Sequence, residues 1–576
     1  MKLAVTNLQR IEIERNKVLL IGQKGHLELS AYGDETFSVM YRFPELPTQE
    51  SVAGFYPFLF SEEFRTSHNG IHREWESIEE HDAYYMLTYG MNSFYVDKAT
   101  ATVAVYYKDR LVHGGKIGDK DTVLPDYPLR VQYDDISGSH TGKMNFHLAE
   151  EDAFFGLGDK SGTLNKRNRR FKMFNRDSLG YNAELSDPLY KSIPFLLKVN
   201  RSEGTMCGLF FPHLNMEEID LGVESNYYYC LKLNGNPYGY FVFTGDEYKQ
   251  IVGRYTHLTG KPVLPPLFTF GFLGSSMSYT EPQDAEEKVT EYFDNIEKHG
   301  VPCEGMYFSS GYVKAENGER YSFLWNYNKF PDPKASITRW LKRGYRICCN
   351  IKPGFLTTHP WYREIAIDGV FIKDGEGLDF TEYYWGNSAS FIDFSSTHAY
   401  GWWKKQLKEH FIKNGVVGIW NDNNEFELED ESVPAHQLKA LMPVLMSKAG
   451  YEALREEHPG KRPWIISRSG YTGIQRYART WTGDNVSDYT SLSYNVLMGL
   501  SLGLSGIPFY GHDIGGFFGD RPDQTLLVRW CQSAVFQPRF VIHSWNPDGI
   551  PTEPWSYPEI TDTITDLVKE HYRFIP

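Results

Sequence analysis

Cysteine is scarce in this sequence, with six residues in a chain of 576. No two of them form a C-x-x-C pair, and no histidines cluster at the spacing of a zinc site. This pattern indicates no metal site. We therefore expect the cysteines to be buried, reduced thiols.

Long apolar runs and a basic charge excess are also missing. The first ten residues hold no apolar stretch of the kind found in secretion signals. The longest apolar run, 495–511, is broken by Ser, Gly and Pro508 and would make a poor membrane span. Acidic residues outnumber basic ones by 74 to 59, which argues against the basic stripe that nucleic acid requires. We expect a cytoplasmic protein with no nucleic-acid and no membrane partner.

Several catalytic motifs are absent as well. The sequence contains no Gly-rich phosphate loop, no G-x-S-x-G of a hydrolase triad and no H-E-x-x-H of a metal site. Aromatic residues, by contrast, are abundant, with 39 Tyr, 37 Phe and 13 Trp. They could build large cores or flat platforms for sugar rings, and composition alone does not separate these two uses.

Two kinds of pattern divide the chain. Residues 1–260 carry short strand-like runs, such as 17–21, 102–107 and 227–233, separated by turn residues, which predicts a β-sandwich. After a Pro-rich joint at 259–266, strands alternate with helices to the end of the chain. The predicted fold class is α/β: a (β/α)8 TIM barrel at 261–576, preceded by the N-terminal β-sandwich domain, with an inserted loop region around 353–394.

Eight strands and their helices are predicted in the barrel. The strands are 269–273, 305–309, 346–351, 416–420, 464–467, 479–481, 507–510 and 536–540. The helices are 284–299, 335–343, 400–413, 435–457, 491–504, 526–533 and 557–572. The inserted loop region is expected to hold a hairpin around Val370. Eight strands in about 300 residues are typical of a single barrel.

Charged or titratable residues follow five successive predicted strands. They are Asp422, Arg468, Asp484, Asp513 and His543. Because the carboxyl ends of barrel strands meet at one mouth, we expect these side chains to form a site. Paired carboxylates, with an Arg and a His that could hold hydroxyls, are the residue types of glycoside cleavage. One carboxylate must be ionised while burial or a neighbouring charge keeps the other protonated.

Short motifs around these residues resemble those of a known family. Trp420-Asn-Asp422-Asn-Asn-Glu425 resembles the W-x-D-x-N-E signature of glycoside hydrolase family 31, the α-glucosidase and α-xylosidase family. Further segments resemble other motifs of the family, in the same order. They are 155–160, 187–195, 468–477, 481–485, 508–517 and 536–544. The resemblance covers roughly residues 150–576.

The resemblance implies a retaining, exo-acting α-glycosidase that works by double displacement. Asp422 would be the nucleophile and Asp484 the general acid and then base, with their carboxyls about 5–5.5 Å apart. The other implied roles are sugar contacts from Arg468 and His543, subsite walls from Trp420, Trp481 and Phe517, support from Asp513, orientation by Glu425, and a loop contact from Asp187. No cofactor is implied. The expected partner is an oligosaccharide or α-glycoside, and homo-oligomerisation is compatible with the sequence.

The chain departs from the family pattern in two places. Family α-glucosidases end the second barrel strand in D-x-D, and here the segment reads Tyr307-Phe-Ser309-Ser310, with Ser310 as the binding candidate. Since loss of a polar partner changes specificity, α-galactosidase and α-N-acetylgalactosaminidase action stay open beside α-glucosidase action. Family members also continue into small β domains, so we expect a truncated or naturally short version.

Two other kinds of function stay open. An α-transglycosylase would use the same carboxylates, and the many aromatics could form its acceptor subsite. A non-catalytic sugar-binding homologue is disfavoured, because both carboxylates are present.

Overall fold

The computed structural model describes residues 2–14, 17–33, 35–46, 56–68, 73–118, 127–134 and 139–575. Met1, the first residue of the predicted sandwich domain, and Pro576, the last residue of the predicted barrel, lie outside these ranges. The chain forms two compact units. The first comprises Met1–Phe174, Ser192–Lys261 and Ser501–Gly506, and the second comprises Asn175–Lys191, Pro262–Leu500 and Ile507–Pro576. In the part of the chain that is described, no helix is both long and apolar enough to cross a membrane.

The first unit is built from antiparallel sheets, as the sequence predicts. One sheet has the spatial order Lys2–Leu3, Leu129–Tyr133, His140–His147, Tyr228–Asn234, Met216–Asp220 and Arg170–Lys172. A second has the order Asp152–Gly158, Ser192–Asn200, Thr205–Phe210, Tyr238–Thr244, Thr36–Arg42, His26–Gly33, Lys17–Ile21 and Arg10–Glu14. A third has the order Arg110–His113, Val103–Tyr107, Asn92–Asp97, Tyr84–Tyr89 and Ser77–Glu80.

Alternation of side chains explains these sheets. In Asn92–Asp97, every second residue is buried, including Phe94 and Val96, as expected for a strand with one face on a core. Side chains from all three sheets share one apolar core. The unit also contains the helix Tyr248–Thr259, which the β prediction for 1–260 missed although Ile251, Tyr255 and Leu258 are buried at helical spacing.

The second unit contains a parallel eight-stranded sheet. Its spatial order is Arg479–Thr480, Trp464–Ser467, Gly418–Asn421, Arg346–Ile351, Gly305–Phe308, Phe272–Ser275, Phe540–Ile542 and Asp513–Ile514. We number these strands in chain order, so Phe272–Ser275 is the first barrel strand and Phe540–Ile542 the eighth. All seven hydrogen-bonded neighbours in this order run parallel. This order, six to one and then eight and seven, confirms the predicted (β/α)8 barrel.

The sheet closes through an irregular segment between the sixth and seventh strands. The Thr480 and Thr482 amides donate to the carbonyls of Phe509 and Gly511, each at 3.1 Å. The predicted strand 507–510 is wrong in position, because the regular seventh strand is Asp513–Ile514. Pro508 lacks an amide hydrogen and so cannot complete a regular ladder.

The helices of the second unit follow the predicted alternation. They are Met277–Thr280, Ala285–His299, Pro333–Lys342, Tyr362–Ile367, Thr397–His410, Met442–Glu457, Tyr489–Leu504 (whose last residues, from Ser501, belong to the first unit), Gln524–Ala534 and Thr561–Arg573. Ala285–His299 shows why the helices form. Its buried Val289, Tyr292, Phe293 and Ile296 share one face, and it ends at Gly300 in the left-handed region with a φ of 63°.

The loop between the third strand and Thr397–His410 holds a small antiparallel sheet of Gly354–Leu356, Asn387–Phe391 and Glu382–Tyr384. The hairpin turn is Trp385-Gly386, with φ of 47° and 95°, which matches the two-residue turns that need positive φ. The hairpin predicted around Val370 begins just after that residue: Lys373 pairs with Asp379 in an antiparallel bridge, and the Phe380 amide donates to the Ile372 carbonyl at 2.9 Å.

Candidate active site

A cavity of about 630 Å³ lies in the second unit. Its volume falls within the roughly 300–1,000 Å³ of small-molecule sites. Eight of the predicted site residues line it: Ser310, Trp420, Asp422, Glu425, Arg468, Asp484, Phe517 and His543. The structure thus brings together side chains that follow the second, fourth, fifth, sixth, seventh and eighth barrel strands.

Two further predicted residues lie next to the cavity. The Trp481 ring packs edge-on against Trp420, with ring centroids 5.6 Å apart. Asp513 is fully buried, and its Oδ1 lies 3.1 Å from Nη2 of Arg539. Burial raises the pKa of Asp513 to about 7, against the opposing charge of Arg539. Neither residue lines the cavity among the described residues, and Trp481 contacts its wall through Trp420.

Asp187 is not brought to the cavity among the described residues that line it. The segment Asn175–Lys191 nevertheless contributes Asp177 and Leu179 to the lining. The predicted loop contact is thus made by other residues of the same segment. Asp177 follows no strand pattern, so the sequence offered no signal for it.

Asp422 follows the fourth strand and contacts two positively charged side chains. Its Oδ2 accepts hydrogen bonds from Nδ2 of Asn350 at 2.9 Å and from Nζ of Lys352 at 2.7 Å. Its Oδ1 lies 3.4 Å from Nε of Arg468. Burial alone would raise the pKa of Asp422, but the charges of Lys352 and Arg468 hold it well below its usual value. The carboxylate is therefore ionised at neutral pH.

Asp484 follows the sixth strand, and its pKa shifts in the opposite direction. Its Oδ2 accepts a hydrogen bond from Nη1 of Arg468 at 2.9 Å. Burial raises the pKa of Asp484 well above its usual value, against the opposing charge of Arg468 and with added repulsion from Asp177 and Asp422. One buried site thus holds two carboxyls whose pKa values are shifted in opposite directions, as acid–base pairs require.

Arg468 forms ion pairs with the acidic residues of the site. Its Nε and Nη2 donate to the two oxygens of Glu425, each at 2.8 Å, in a bidentate pair. Nη2 also lies 2.9 Å from Oδ2 of Asp177. Burial raises the pKa of Glu425 to about 7, although Arg468 opposes the shift. Glu425 therefore fixes the guanidinium that reaches both Asp422 and Asp484.

Close packing fixes the backbone that carries Asp484. Gly483 has a φ of 73°, and a Cβ there would lie 2.0 Å from the ring of Tyr190, so only glycine fits. The Arg468 guanidinium lies over the same ring, 4.8 Å from its centroid. Nζ of Lys191 donates to the carbonyls of Arg468 and Trp481, at 2.8 and 2.9 Å. Residues of Asn175–Lys191 therefore position the sixth-strand end.

Aromatic rings surround the predicted sugar-binding histidine. His543 stacks on Phe517 at 4.8 Å and packs edge-on against Trp420 at 5.3 Å. Burial, with the charge of Arg539, lowers the pKa of His543 to about 3. The imidazole is therefore neutral at neutral pH, so one ring nitrogen donates and the other accepts.

The second-strand end carries hydroxyls instead of an acid. The Ser309 hydroxyl hydrogen-bonds that of Thr280 at 2.7 Å, and the Ser310 hydroxyl accepts from Nε of Arg320 at 2.9 Å. Arg320 also pairs with Glu281. The end of this strand therefore offers hydroxyls backed by a cation in place of a carboxylate.

The sequence interpretation missed the third-strand end. Asn350 and Lys352 both line the cavity and bind Asp422. The strand Arg346–Ile351 was predicted correctly, and the rule that strand ends carry the chemistry would have found both residues.

Comparison with known proteins decides the family. A family model described as the glycosyl hydrolases family 31 TIM-barrel domain matches residues 262–576. The chain belongs to glycoside hydrolase family 31. A second model, the glycosyl hydrolase 31 N-terminal galactose mutarotase-like domain, matches residues 26–220 of this family member.

Two curated relatives in the family are named α-glucosidases. Alpha-glucosidase 2 of Bacillus thermoamyloliquefaciens is 31% identical over 74% of this chain and 55% of its own length. An alpha-glucosidase of Saccharolobus solfataricus is 30% identical over 73% of this chain and 65% of its own length. The chain thus spans less than two thirds of these relatives.

Solved structures of family members share the fold. The Flavobacterium johnsoniae GH31 dextranase complexed with glucose superposes with a TM-score of 0.84 at 24% identity, covering 100% of this chain and 69% of that one. A GH31 alpha-xylosidase from a soil metagenome, complexed with xylose, gives a TM-score of 0.80 at 20% identity, covering 99% and 84%.

Proposed function

We propose that this protein is a retaining, exo-acting α-glycosidase of the α-glucosidase type. One observation carries the proposal: two carboxyls in one cavity contact the same guanidinium and have pKa values shifted in opposite directions. Asp422 is then the nucleophile, and Asp484 is the general acid and base. Membership of family 31 supports this assignment.

The reaction proceeds in two displacements. The Asp422 carboxylate attacks the anomeric carbon while protonated Asp484 gives its proton to the leaving oxygen, so the glycosidic bond breaks and an acyl-linked sugar forms. Asp484, now ionised, takes a proton from water, which attacks the same carbon and releases Asp422. Inversion occurs twice, so the α configuration is retained. Arg468 balances the negative charge that moves between the two carboxyls.

Glucose is the sugar that the comparisons favour. The two curated relatives are named α-glucosidases, and one solved relative is a dextranase complexed with glucose. The α-galactosidase and α-N-acetylgalactosaminidase alternatives are not favoured. His543 and Arg468 would hold sugar hydroxyls, with Trp420 and Phe517 as walls, since all four line the cavity. Trp481 and Asp513 would support them, and Ser310 would stand where the usual acid is missing.

Domain limits and location form part of the proposal. We assign 1–260 to the N-terminal domain and 261–576 to the catalytic domain with its insertion around 353–394; the two family models support this division. We assign the loop contact to Asp177 in place of Asp187, because among the described residues Asp177 lines the cavity and Asp187 does not. A cytoplasmic location fits the six free thiols, since disulfides are rare in reducing compartments.

The anomeric form of an azide product tests the two roles. We expect turnover of p-nitrophenyl α-glucoside, and a loss of roughly 10⁴-fold or more in Asp422→Ala. With Asp484→Ala, azide intercepts the covalent intermediate and gives the α-glycosyl azide. With Asp422→Ala no such intermediate exists, so azide attacks from the vacated face of an activated α-glycoside and gives the β-glycosyl azide. NMR of the products distinguishes the two.

Asp548→Asn is the matched control, because Asp548 lies on the surface and pairs with Arg521 at 3.0 Å. This variant should keep wild-type turnover. Full activity of Asp422→Ala, or the same azide anomer from both alanine variants, would show that the assignment is wrong. A panel with p-nitrophenyl α-galactoside, α-xyloside and α-N-acetylgalactosaminide measures the sugar preference.

A further inference from the structure

We propose that Lys352 is a positioning residue for the nucleophile: it holds one oxygen of Asp422, leaves the other free to attack, and is itself held by Trp385 of the inserted hairpin. The inference rests on the proposed role of Asp422. Lys352 follows the third barrel strand, is 6% exposed and lines the cavity.

The two oxygens of Asp422 have different surroundings. Oδ2 accepts from both Lys352 and Asn350, at 2.7 and 2.9 Å. Oδ1 has a more distant neighbour, Nε of Arg468 at 3.4 Å, and that Nε donates at 2.8 Å to Glu425. An oxygen held by two donors is a poor nucleophile, because bond formation would weaken both hydrogen bonds. The geometry therefore assigns Oδ1 as the attacking oxygen.

The hairpin tip holds the ammonium in place. Nζ of Lys352 lies 4.3 Å from the centroid of the Trp385 ring, and the guanidinium of Arg320 lies 4.9 Å from the same centroid. One indole ring thus contacts two cations, which cation–π attraction favours. The Asn423 amide oxygen accepts a further hydrogen bond from Nζ. Lysine has a flexible stem, so these contacts are needed to place its charge.

Lys352 forms its ion pair with Asp422, whereas Arg468 shares its charge among several carboxyls. Arg468 divides its charge among Asp177, Glu425 and Asp484 as well as Asp422. Other titratable or charged groups whose fields reach this pair are Arg320, Tyr384, Asp513 and His543. An opposite charge within hydrogen-bonding distance typically lowers a carboxyl pKa by roughly 1 to 3 units. Lys352 should therefore keep the nucleophile ionised in acid.

Replacing the charge tests this inference. In Lys352→Met the neutral side chain keeps its bulk, so the acid limb of the kcat/KM–pH profile should move to higher pH by roughly 1 to 3 units. Because Lys352 orients the nucleophile, kcat should fall by at least about tenfold while KM changes less. Lys352→Arg, which keeps a cation, should leave the limb close to that of the wild type.

Lys373→Met is the control, because Lys373 pairs with Asp379 on the same insertion and does not line the cavity among the described residues. Trp385→Leu should shift the limb in the same direction as Lys352→Met, but less. It also serves as the test if Lys352→Met does not fold. A folded Lys352→Met or Trp385→Leu with the wild-type acid limb would overturn the inference and leave the proposed function intact. Failure of the wild type on all α-glycosides would overturn the function itself.

Discussion

Arg468 is the residue on which the charge balance of the site depends. It is 2% exposed and contacts four carboxyls from three different segments of the chain. A buried cation is offset by the charge of its partners, so removing it leaves the buried carboxyl of Glu425 without its bidentate ion pair. The loss of Arg468 is therefore expected to lower the stability of the folded protein.

We therefore expect Arg468→Met to lower the free energy of unfolding by about 3–5 kcal/mol, the usual cost of breaking a buried ion pair. Arg521→Met is the matched control. Arg521 pairs with Asp548 at 3.0 Å on the surface, and exposed pairs contribute about 0–1 kcal/mol. Urea unfolding of both variants measures the difference. Equal losses in the two variants would mean that burial does not set the cost.

At this scale the sequence predicted the residues that follow a recognisable strand. Asp422, Asp484, Arg468 and His543 each follow a barrel strand, and all four line one cavity. Asp177 could not be predicted in this way, because its partner Arg468 lies almost 300 positions away and no local pattern encodes that contact.

Among the elements, a buried hydrogen bond links the segments that follow the first and eighth barrel strands, in addition to the pairing of the strands themselves. The hydroxyl of Tyr279, in the helix Met277–Thr280 after the first strand, donates to Glu553 in the loop after the eighth strand. Glu553 is 5% exposed. Burial raises the pKa of Glu553 from 4.5 to about 8. The folded protein therefore keeps this carboxyl protonated where the unfolded chain releases the proton.

The sign of the pH dependence follows from this shift. A raised folded-state pKa gives stability that is fully present below pH 4.5 and is lost as the pH rises towards 8. In Glu553→Gln, which keeps the acceptor for Tyr279, this loss should disappear. The difference in unfolding free energy between wild type and variant should change by about 5 kcal/mol across that window. A difference that stays constant from pH 5 to 8 would contradict the burial effect.

Prediction of the elements succeeded where periodicity was strong and failed where the backbone was irregular. The helix Ala285–His299 and the strand Arg346–Ile351 match their predictions within a residue. The seventh strand was misplaced because the apolar run at 507–510 resembles a strand, while Pro508 prevents one. The hairpin at Glu382–Tyr384 was missed because its turn begins at Trp385, a residue that rarely adopts positive φ.

Across the whole molecule, the boundaries of the two compact units do not follow the order of the chain. Asn175–Lys191 lies within the stretch predicted as a sandwich, yet it belongs to the barrel unit. Through Asp177, Tyr190 and Lys191 it contacts Arg468 or the backbone beside Asp484. The candidate active site is therefore incomplete in residues 262–576 alone.

We expect a fragment of residues 262–576 to have a kcat/KM at least about 10²-fold below that of the full chain. A displacement of catalytic groups by about 1 Å can lower the rate by this factor. Asp177→Asn in the full chain keeps the segment and removes one charge, so it should retain more activity than the fragment. Assays of both on p-nitrophenyl α-glucoside measure the contrast. A fragment with full-chain kcat/KM would show that the segment is dispensable.

The placement of Asn175–Lys191 also sets a rule for recombining these enzymes. A chimera that exchanges N-terminal domains between family members at a single joint near 260 would give the barrel a foreign version of this segment. A chimera in which the barrel keeps its own version of the segment needs two further crossovers, one on each side of 175–191. Natural shuffling of the two domains should be constrained in the same way, so each barrel is expected to evolve together with the loop that completes it.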